Sequence, residues 1–317
     1  MATYKTGAKL SLAVSDKELF PLVGDSTCMK ELRNSLKKYA TCDAEVLIQG
    51  ETGVGKGLCA NIIHQLSSRK QYPFVEVNCG AIPGGLIASE LFGHEKGAFT
   101  GAITDRVGFI QRANHGTLFL DEIGDMPADL QIHLLHFLES KQIQRLGSDS
   151  ITQVDCRIIA ASHVDLKSEV IQGGFRQDLY YRLNILPLAI PPLRMRGQDI
   201  LMLADFFLTD LAKGERVKIS KEAQEKLRKH AWPGNVRELR NVIQRALVMC
   251  EKGVISAADL GIDSLERNTI PVAEQIDLDY LLQAIEENKH NMSAAARQLG
   301  ISRTTLYRLI KKYNLST

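Results

Sequence analysis

The sequence lacks several features that would place it at once in a class of proteins. None of its six cysteines forms a Cys-x-x-Cys pair, which argues against a zinc site and a disulfide framework and for reduced thiols in a cytosol. The formal net charge is only +2, so nucleic acid would have to bind a local basic face. No apolar run is long enough to cross a membrane, and the N-terminus has no signal peptide. These absences predict a cytoplasmic protein without membrane insertion.

What is present is a regular alternation of short apolar runs and helical stretches between residues 22 and 190. Such alternation is typical of an α/β fold in which helices cover a parallel sheet. The predicted strands are 46–49, 74–78, 117–120, 157–161 and 185–188. The pattern divides the chain into a tail at 1–21, an α/β subdomain at 22–190, a helical lid at 191–250, a linker at 251–276 and a helical domain at 277–317.

A glycine-rich loop follows the first strand and leads into a helix. Its sequence is Gly50-Glu51-Thr52-Gly53-Val54-Gly55-Lys56. Glycines let successive backbone N–H groups surround phosphates at a helix N-terminus, and Lys56 adds a positive charge for the outer phosphates. Gly57 stands where many such loops have a hydroxyl that reaches Mg²⁺. The loop therefore predicts a bound nucleotide whose Mg²⁺ is held by phosphates, water and an acid elsewhere.

That acid is supplied where the strand at 117–120 ends in Asp121 and Glu122. Asp121 is expected to hold Mg²⁺, directly or through water, and Glu122 to orient and polarise an attacking water molecule. An acidic pair after an apolar strand can also be a solvated strand end, but its position after a phosphate loop favours hydrolysis.

Four further polar residues are candidates for contact with phosphate. His163, at a strand end, is either a sensor of the outermost phosphate or a surface histidine. Arg176 and Arg182 are six residues apart, an awkward spacing for one helical face. They are either arginine fingers for a neighbouring subunit's nucleotide or salt-bridge partners. Arg237 follows a Trp-Pro-Gly-Asn break and opens a lid helix, from which it can swing onto the phosphates.

The most distinctive segment is Lys96-Gly97-Ala98-Phe99-Thr100-Gly101-Ala102. It places a large apolar ring among glycines and alanines that cannot easily bury it. We therefore expect the loop to contact another molecule. Because it lies between the phosphate loop and the acidic pair, the state of the nucleotide could control that contact.

The C-terminal residues have the pattern of a helix-turn-helix. A short helix around 293–299 is followed by Gly300, and Ser302 caps a second helix. The apolar side of this motif is formed by Leu299, Ile301, Leu306, Leu309 and Ile310. The remaining residues are candidates for contact with DNA: Ser302, Arg303, Thr304, Thr305, Tyr307, Arg308 and Lys311. The alternative is a basic, solvated helical hairpin.

Together these motifs resemble those of the bacterial enhancer-binding proteins. These are AAA+ activators of the RNA polymerase that carries the alternative sigma factor sigma-54. The similarity extends from about residue 22 to residue 317, and Gly97 to Ala102 match the family's GAFTGA loop at every position. The resemblance implies that this loop contacts sigma-54 and drives promoter opening. It also implies an AAA+ sheet and lid and a Fis-type helix-turn-helix.

The resemblance assigns further roles that the chemistry alone leaves open. Asn78 corresponds to an asparagine that holds the catalytic glutamate, here Glu122, according to nucleotide state. The other correspondences are His163 with the first sensor, Arg176 and Arg182 with the arginine fingers, Arg237 with the second sensor, and Val23 and Gly24 with the segment lining the adenine site.

Two departures from the family pattern stand out. Gly57 occupies a position where the family commonly has glutamate, which affects the tuning of the loop but leaves Lys56 and the glycines in place. The sequence also has no N-terminal sensory domain. In that respect it resembles phage shock protein F and similar short members, which a separate protein regulates, although a shortened piece of a longer activator would look the same.

The combined prediction is an ATP-hydrolysing transcriptional activator that binds upstream enhancer DNA and remodels sigma-54 RNA polymerase closed complexes. It would work as a homo-oligomer, a hexameric ring with dimers possible at rest, using ATP and Mg²⁺. One alternative is a DNA-binding regulator that uses ATP only to oligomerise, against which the complete GAFTGA loop argues. The other is an AAA+ unfoldase or helicase loader, for which the sequence offers no pore or loader motif.

Overall fold

The computed structural model describes residues 22–214, 216–250 and 253–262, together with the single positions Leu281, Asn288, Gln298, Leu299 and Leu306. The helices are α1 Thr27–Ala40, α2 Lys56–Gln65, α3 Gly84–Phe92, α4 Phe109–Arg112, α5 Ala128–Ser140, α6 Leu166–Gln172, α7 Gln177–Leu183, α8 Asp199–Leu211, α9 Lys221–Lys229 and α10 Asn235–Met249. The strands are β1 Val46–Gln49, β2 Phe74–Asn78, β3 Gly93–His94, β4 Arg106–Val107, β5 Thr117–Asp121, β6 Gln142–Gln144, β7 Ile151–Gln153, β8 Arg157–Ser162, β9 Leu186–Ala189, β10 Lys218–Ile219 and β11 Val254–Ile255.

Five strands form one parallel sheet in the order β2-β5-β8-β1-β9. The predicted α/β fold and its five strands are confirmed, with each strand end within one residue of the prediction. The register pairs Asn78 with Asp121 and Gln49 with Ser162. Because all five strands are parallel, their carboxyl ends meet at one edge, where ligands bind in open α/β sheets.

Alternating side chains of the strands fill two cores, one on each face of the sheet. Leu47, Leu118 and Leu120 point to the face covered by α3, α5 and α7. Ile48 and Phe119 point to the face covered by α1 and α2. Every residue of the central strand β8 is buried, as expected for a parallel strand with helices on both sides. The apolar face predicted on α5 is buried as expected, at Leu130, Leu134, Phe137 and Leu138.

Two short antiparallel hairpins extend the sheet domain. Strands β3 and β4 close a loop that contains the glycine-rich segment Gly97 to Ala102, and β6 pairs with β7. An isolated bridge joins His94, at the base of the first hairpin's loop, to Leu146, which lies in the loop between β6 and β7.

The lid consists of α8, α9 and α10 with one small parallel pair, β10 with β11. The sequence pattern had predicted only helices between residues 200 and 250, and a linker from residue 251. The two-residue strand β11 lies within that linker range and packs against the lid through the buried Ile255. Strands of two residues are too short to show a period in sequence. Trp232 is fully buried, and its indole N–H donates to Leu227 O at 2.9 Å.

The chain divides into two compact units, residues 1–260 and 261–317. Leu281, Leu299 and Leu306 are buried, which confirms the apolar side of the predicted helix-turn-helix at two of its five positions. The DNA-contact candidates Ser302, Arg303, Thr304, Thr305, Tyr307, Arg308 and Lys311 lie outside the described residues. Within the described part of the chain, no helix is long and apolar enough to span a membrane.

Candidate functional site

The phosphate loop joins β1 to the N-terminus of α2, as predicted from the glycine spacing. Gly53 and Gly55 have φ angles of 81° and 104°, values that favour glycine over any other residue. A Cβ on Gly53 would lie 2.3 Å from Gly234 O in the lid. The loop therefore needs glycine at Gly53 for two reasons, its backbone conformation and its close contact with the lid.

Lys56 begins α2, and its side chain is buried against the loop. Its Nζ donates to Gly50 O at 2.9 Å and to Glu51 O at 3.4 Å. Burial lowers the pKa of Lys56 below its usual value, while the neighbouring charges of Asp121 and Glu122 act in the opposite direction. A phosphate would compete with the two carbonyl groups for this ammonium group.

The carboxylates at the end of β5 lie beside the end of β2. Cys79 N donates to Asp121 O at 2.9 Å, so Asn78 is the direct neighbour of Asp121. Glu122 has a φ of 53°, a left-handed conformation that carries strain in a residue with a Cβ. A Cβ on Gly80 would lie 2.9 Å from Glu122 Oε2 and 3.5 Å from Asn78 Oδ1. Gly80 thus leaves the space in which the Glu122 carboxylate sits next to Asn78.

Asn78 is oriented by its own turn. Its Oδ1 accepts a hydrogen bond from Ala81 N at 2.9 Å. The Asp125 carboxylate also approaches this point, since a Cβ on Gly80 would lie 2.7 Å from Asp125 Oδ2. The described contacts bring Asn78 and Glu122 together around Gly80, and Asp125 joins them although the sequence pattern had not singled it out.

Asp121 lies in a partly buried and strongly charged environment. Burial raises the pKa of its carboxyl group above the usual value, and Glu122 adds to this effect. The positive charges of Lys56 and Arg237 oppose it, as does the hydrogen bond of 3.0 Å from Glu122 N to Asp121 Oδ1. The electrostatic coupling of these four side chains indicates that sheet, phosphate loop and lid all contribute charge to one site.

The other wall of the site is formed by the segment between β9 and α8, residues 190–198, here called the connector, together with Asp199 at the start of α8. Arg194 forms a bidentate pair with Glu51 in the phosphate loop at 2.5 and 2.8 Å. Asp199 is buried and accepts hydrogen bonds from Asp25 N at 2.8 Å and Ser26 N at 3.0 Å, as well as from the Ser26 hydroxyl. Asp199 thereby holds the turn that follows the predicted adenine-site residues Val23 and Gly24.

Gly24 has a φ of 138°, and its carbonyl accepts a hydrogen bond of 2.6 Å from Arg33 Nη1. A Cβ on Gly24 would lie 2.6 Å from Asp199 Oδ2, so glycine is required for this close contact. A cavity of about 620 Å³ opens beside the turn, and Thr27, Met195 and Met202 contribute to its lining. Its size is sufficient for a planar ring system.

Arg237 lies in the first turn of α10, next to the phosphate loop. Its backbone N–H donates to Gly53 O at 3.3 Å. Asn235, which begins the helix, is buried and also contacts the loop, with 3.0 Å between its Nδ2 and Glu51 Oε2. The structure therefore brings the charge of Arg237 close to Lys56 and Asp121, and its contact with the phosphates stays a prediction.

Three other predicted site residues, His163, Arg176 and Arg182, take no part in the contacts described above between the phosphate loop, the acidic pair and the lid. His163 is exposed after the end of β8. Arg176 is exposed and forms a bidentate pair with Asp178 at 2.7 and 3.0 Å, whereas Arg182 donates to Leu138 O at 3.1 Å. The two arginines thus point to different partners, in agreement with their spacing of six residues. Gly57 lies in α2, where a Cβ would meet only ordinary contacts at 3.6 Å.

The signature loop has a compact backbone and an exposed tip. Gly97 N donates to Ala102 O at 2.9 Å, and Ala102 N donates to Phe99 O at 3.0 Å. Thr100 is exposed, and the Phe99 side chain remains 38% exposed although its ring lies 5.0 Å from that of His94. The tip of the loop is therefore accessible, and its contact with another molecule stays a prediction.

The β6–β7 hairpin supports the base of this loop. Glu95 N donates to Leu146 O at 2.9 Å, and Leu146 N donates to Gly93 O at 3.0 Å. Gly147 has a φ of 77°, and a Cβ there would lie 2.8 Å from the Cβ of Ala98. Glycine is therefore needed at Gly147 for the two loops to touch.

Sequence reasoning missed the residues that join the lid and the connector to the site. Asn235 was read only as part of a break before a helix, and Arg194 and Asp199 were not singled out. The available signal was the sequence Leu193-Arg194-Met195-Arg196, which follows two prolines and places two arginines close together at a domain boundary. The phosphate-loop partners of Arg194 and Arg196 lie more than 140 positions away in sequence, so no local pattern could identify them.

Comparison with known proteins assigns all three parts of the chain. The protein-family model described as the sigma-54 interaction domain matches residues 22–189. The AAA+ ATPase lid domain matches residues 194–273, and the model of a bacterial regulatory protein of the Fis family matches residues 272–313.

Relatives and solved structures agree with this assignment. The response regulator protein PilR of Pseudomonas aeruginosa is 45% identical over 307 residues, which cover 92% of this chain and 69% of PilR. The transcriptional regulatory protein ZraR of Salmonella typhimurium is 43% identical over 314 residues, which cover 96% of this chain and 71% of ZraR. The crystal structure of NtrX from Brucella abortus with ADP superposes with a TM-score of 0.71 at 32% identity, covering 92% of this chain and 68% of NtrX.

A second NtrX structure, in complex with ATP, matches with the same TM-score of 0.71. The parallel sheet, the phosphate loop and the lid are the parts of an AAA+ ATPase, and the C-terminal match is to a DNA-binding family. Taken with the sigma-54 interaction domain, these findings identify the chain as a member of the sigma-54-dependent transcriptional activators, with an AAA+ ATPase domain and a Fis-type helix-turn-helix.

Proposed function

We propose that the chain hydrolyses ATP at the interfaces of a hexameric ring and thereby drives its GAFTGA loop against sigma-54, converting closed promoter complexes to open ones. Lys56 neutralises the outer phosphates, Glu122 polarises the attacking water and Asn78 holds Glu122 according to nucleotide state. Phe99 and Thr100, at the tip of the loop, contact sigma-54.

The observation that carries this proposal is the short path from the acidic pair to the loop. Asn78 pairs with Asp121 across the sheet, and the chain then enters α3, which ends at Phe92. The hairpin of β3 and β4 begins at the next residue, Gly93. Ile87 and Leu91 of α3 are fully buried. A change at Asn78 can therefore reach the loop through one packed helix.

The residues present fit a Mg²⁺ ion bound together with ATP. Asp121 is a partly buried carboxylate beside Lys56, and Gly57 supplies no hydroxyl. Among the described residues, no group of three or more acidic, histidine or cysteine side chains is arranged so that it could hold a metal ion by itself. Asp121 would thus hold the ion together with water and the phosphates, and the ion would supply charge neutralisation. Deprotonated Asp121 is the form that can bind it.

The remaining site residues are proposed to complete the nucleotide pocket. Arg237 and His163 contact the phosphates as second and first sensor, and Val23 and Gly24 place the adenine near the cavity beside Asp25–Cys28. Arg176 and Arg182 reach the nucleotide of the neighbouring subunit. The exposure of Arg176, immediately before α7, supports this role, because an arginine finger must be able to reach beyond its own subunit.

DNA binding is proposed to tether the ring near the promoter. The contacts would come from the helix that carries Arg303, Tyr307 and Arg308, and upstream enhancer DNA is the proposed target. A separate protein is proposed to regulate the ring.

The decisive experiment is the substitution Thr100→Ala in the full chain. We expect ATP hydrolysis within about twofold of wild type and a loss of promoter opening on a sigma-54 promoter with purified polymerase, because only the contact with sigma-54 is removed. Thr104→Ala is the matched control, since Thr104 is exposed on the same hairpin but lies outside the Gly97–Ala102 segment. It should leave both activities unchanged.

Equal loss of hydrolysis and promoter opening in Thr100→Ala would contradict this division of labour. An activator that used ATP only to oligomerise would give no ATP-dependent open complex with the wild-type protein, and the same assay separates that alternative.

A further inference from the structure

The conformation of the phosphate loop depends on where its carbonyl groups point. The N–H groups can face a phosphate only if the carbonyl groups face away, and every outward carbonyl in a buried position needs a donor. In this chain the carbonyl groups of Gly50, Glu51 and Gly55 are paired locally. Lys56 Nζ donates to Gly50 O and Glu51 O, and Cys59 N donates to Gly55 O at 3.1 Å.

The three middle carbonyl groups have donors that come from outside the loop. The pairs are Asn235 Nδ2 with Thr52 O at 3.1 Å, Arg237 N with Gly53 O at 3.3 Å, and Arg196 Nη2 with Val54 O at 3.3 Å. Two of these donors belong to the start of the lid helix α10 and the third to the connector. The lid and the connector therefore hold the central part of the loop in its phosphate-binding shape.

Among these donors Asn235 has the most complete set of partners. It is fully buried, and its φ of 53° is a conformation that asparagine and glycine tolerate better than other residues. Its Oδ1 accepts a hydrogen bond from Leu193 N at 2.8 Å, and its Nδ2 donates to Thr52 O and to Glu51 Oε2. Arg194 binds the same Glu51 carboxylate from the exposed side.

We propose that Asn235 is a positioning residue that holds the phosphate loop in its nucleotide-binding conformation and couples nucleotide affinity to the position of the lid. If the lid turns away, Thr52 O and Glu51 lose their buried donor, and the loop loses the arrangement that presents its N–H groups. By reciprocity, a bound nucleotide must stabilise the closed lid by the same free energy. The proposal rests on the ATPase domain and is independent of any action on sigma-54.

The test is nucleotide affinity in the full chain, measured with a fluorescent ADP analogue and Mg²⁺. Asn235→Asp keeps the acceptor for Leu193 N but removes both donors and places a second carboxylate beside Glu51. We expect its dissociation constant to rise at least about tenfold, because a hydrogen bond to a charged group is lost. Asn235→Gly keeps the backbone conformation without the amide and should weaken binding about fivefold or more.

The matched control is Lys213→Gly, which changes an exposed residue with a φ of 45° to glycine without touching the site. Its affinity should stay within about twofold of wild type. The reciprocal measurement is the rise in unfolding temperature caused by ADP. This rise should be smaller in Asn235→Asp than in wild type, whereas a residue that only stabilises the lid would lower the unfolding temperature with and without ADP equally.

Rescue provides the sharpest check on the contact itself. In the double variant Asn235→Asp with Glu51→Gln, the introduced amide can donate to the introduced carboxylate, so donor and acceptor are exchanged. We expect ADP to bind at least about threefold more tightly than in Asn235→Asp alone. Affinity within about twofold of wild type in either folded single variant, or no recovery in the double variant, overturns the proposal. If Asn235→Asp does not fold, as judged by circular dichroism, Asn235→Gly decides it.

Discussion

The two glycine-rich loops of this chain have similar compositions and opposite surroundings. The carbonyl groups of residues 50–55 in the phosphate loop all have donors, and a Cβ on Gly53 would collide with the lid. The GAFTGA loop is bonded mainly to itself, and a Cβ on Gly97 or Gly101 would meet nothing within 4 Å. In the phosphate loop, the glycine at position 53 therefore permits close packing against the lid. In the GAFTGA loop, glycine serves only to allow the positive φ angles of the backbone. The loop proposed to hold a nucleotide is fixed by its neighbours, whereas the loop proposed to touch a partner is left exposed.

The largest effect is expected from a substitution at Glu122, the residue proposed to polarise the attacking water. Glu122→Gln keeps the shape of the side chain but removes its negative charge, so the attacking water is no longer polarised. We expect kcat for ATP hydrolysis to fall by a factor on the order of 10² to 10⁴, with ADP affinity within about threefold of wild type. Steady-state hydrolysis and fluorescent ADP binding measure the two quantities. A large loss of affinity would mean that Glu122 holds the loop as well as the water.

Gly80 tests whether space beside the carboxylate matters on its own. In Gly80→Ala the new methyl group would approach Glu122 Oε2 and Asp125 Oδ2 within 3 Å, so both side chains must move. We expect kcat to fall about tenfold, with an unfolding temperature close to that of wild type, because flexible side chains can shift at little cost. Gly85→Ala is the control, since a Cβ there meets nothing within 4 Å. Equal losses in both variants would rule out the steric explanation.

Beside the GAFTGA loop, a substitution at Gly147 distinguishes the effect of loop packing from that of backbone strain. Gly147→Ala would push a methyl group against Ala98, whereas Gly173→Ala has a similar φ of 79° and open space around it. We expect promoter opening to fall about fivefold in the first variant and to change little in the second, with ATP hydrolysis close to wild type in both. Purified transcription assays measure this. If both variants lose activity equally, backbone strain is the cause.

The smallest expected effect concerns stability and pH. Burial raises the pKa of Asp121 in the folded protein above its unfolded value, so the ionised carboxylate destabilises the fold at neutral pH. This cost is present above the raised pKa and disappears as pH falls below the unfolded value of 3.8. Asp121→Asn should therefore raise the unfolding temperature by a few degrees at pH 7 without nucleotide.

The gain in Asp121→Asn should shrink as the pH falls through the raised pKa, and a gain that grows with acidity would contradict the assigned cause. The variant should also lose ATP hydrolysis. Stability and function thus pull in opposite directions at Asp121, as expected where a site carries a buried charge for chemistry.

Local patterns were enough to predict the sheet and the phosphate loop, because apolar alternation and glycine spacing are visible within a few residues. They could not predict the contact between Asn235 and Glu51, which are 184 positions apart in sequence. The positive φ of Glu122 is equally hidden, since glutamate does not signal a left-handed turn. The β10–β11 pair escaped prediction because its strands have only two residues each. What sequence misses here is the long-range packing that orients the site.

The helix between Asn78 and the GAFTGA loop can be considered as a lever arm. At 1.5 Å per residue, the nine residues of α3 span roughly 13 Å. A tilt of about 10° around its N-terminal end would move the base of the hairpin by only about 2 Å at this length. Such a stroke is shorter than the diameter of one water molecule. Under the proposed function, so short a movement requires that Phe99 contact its partner before hydrolysis begins, so that the movement acts on a contact already formed.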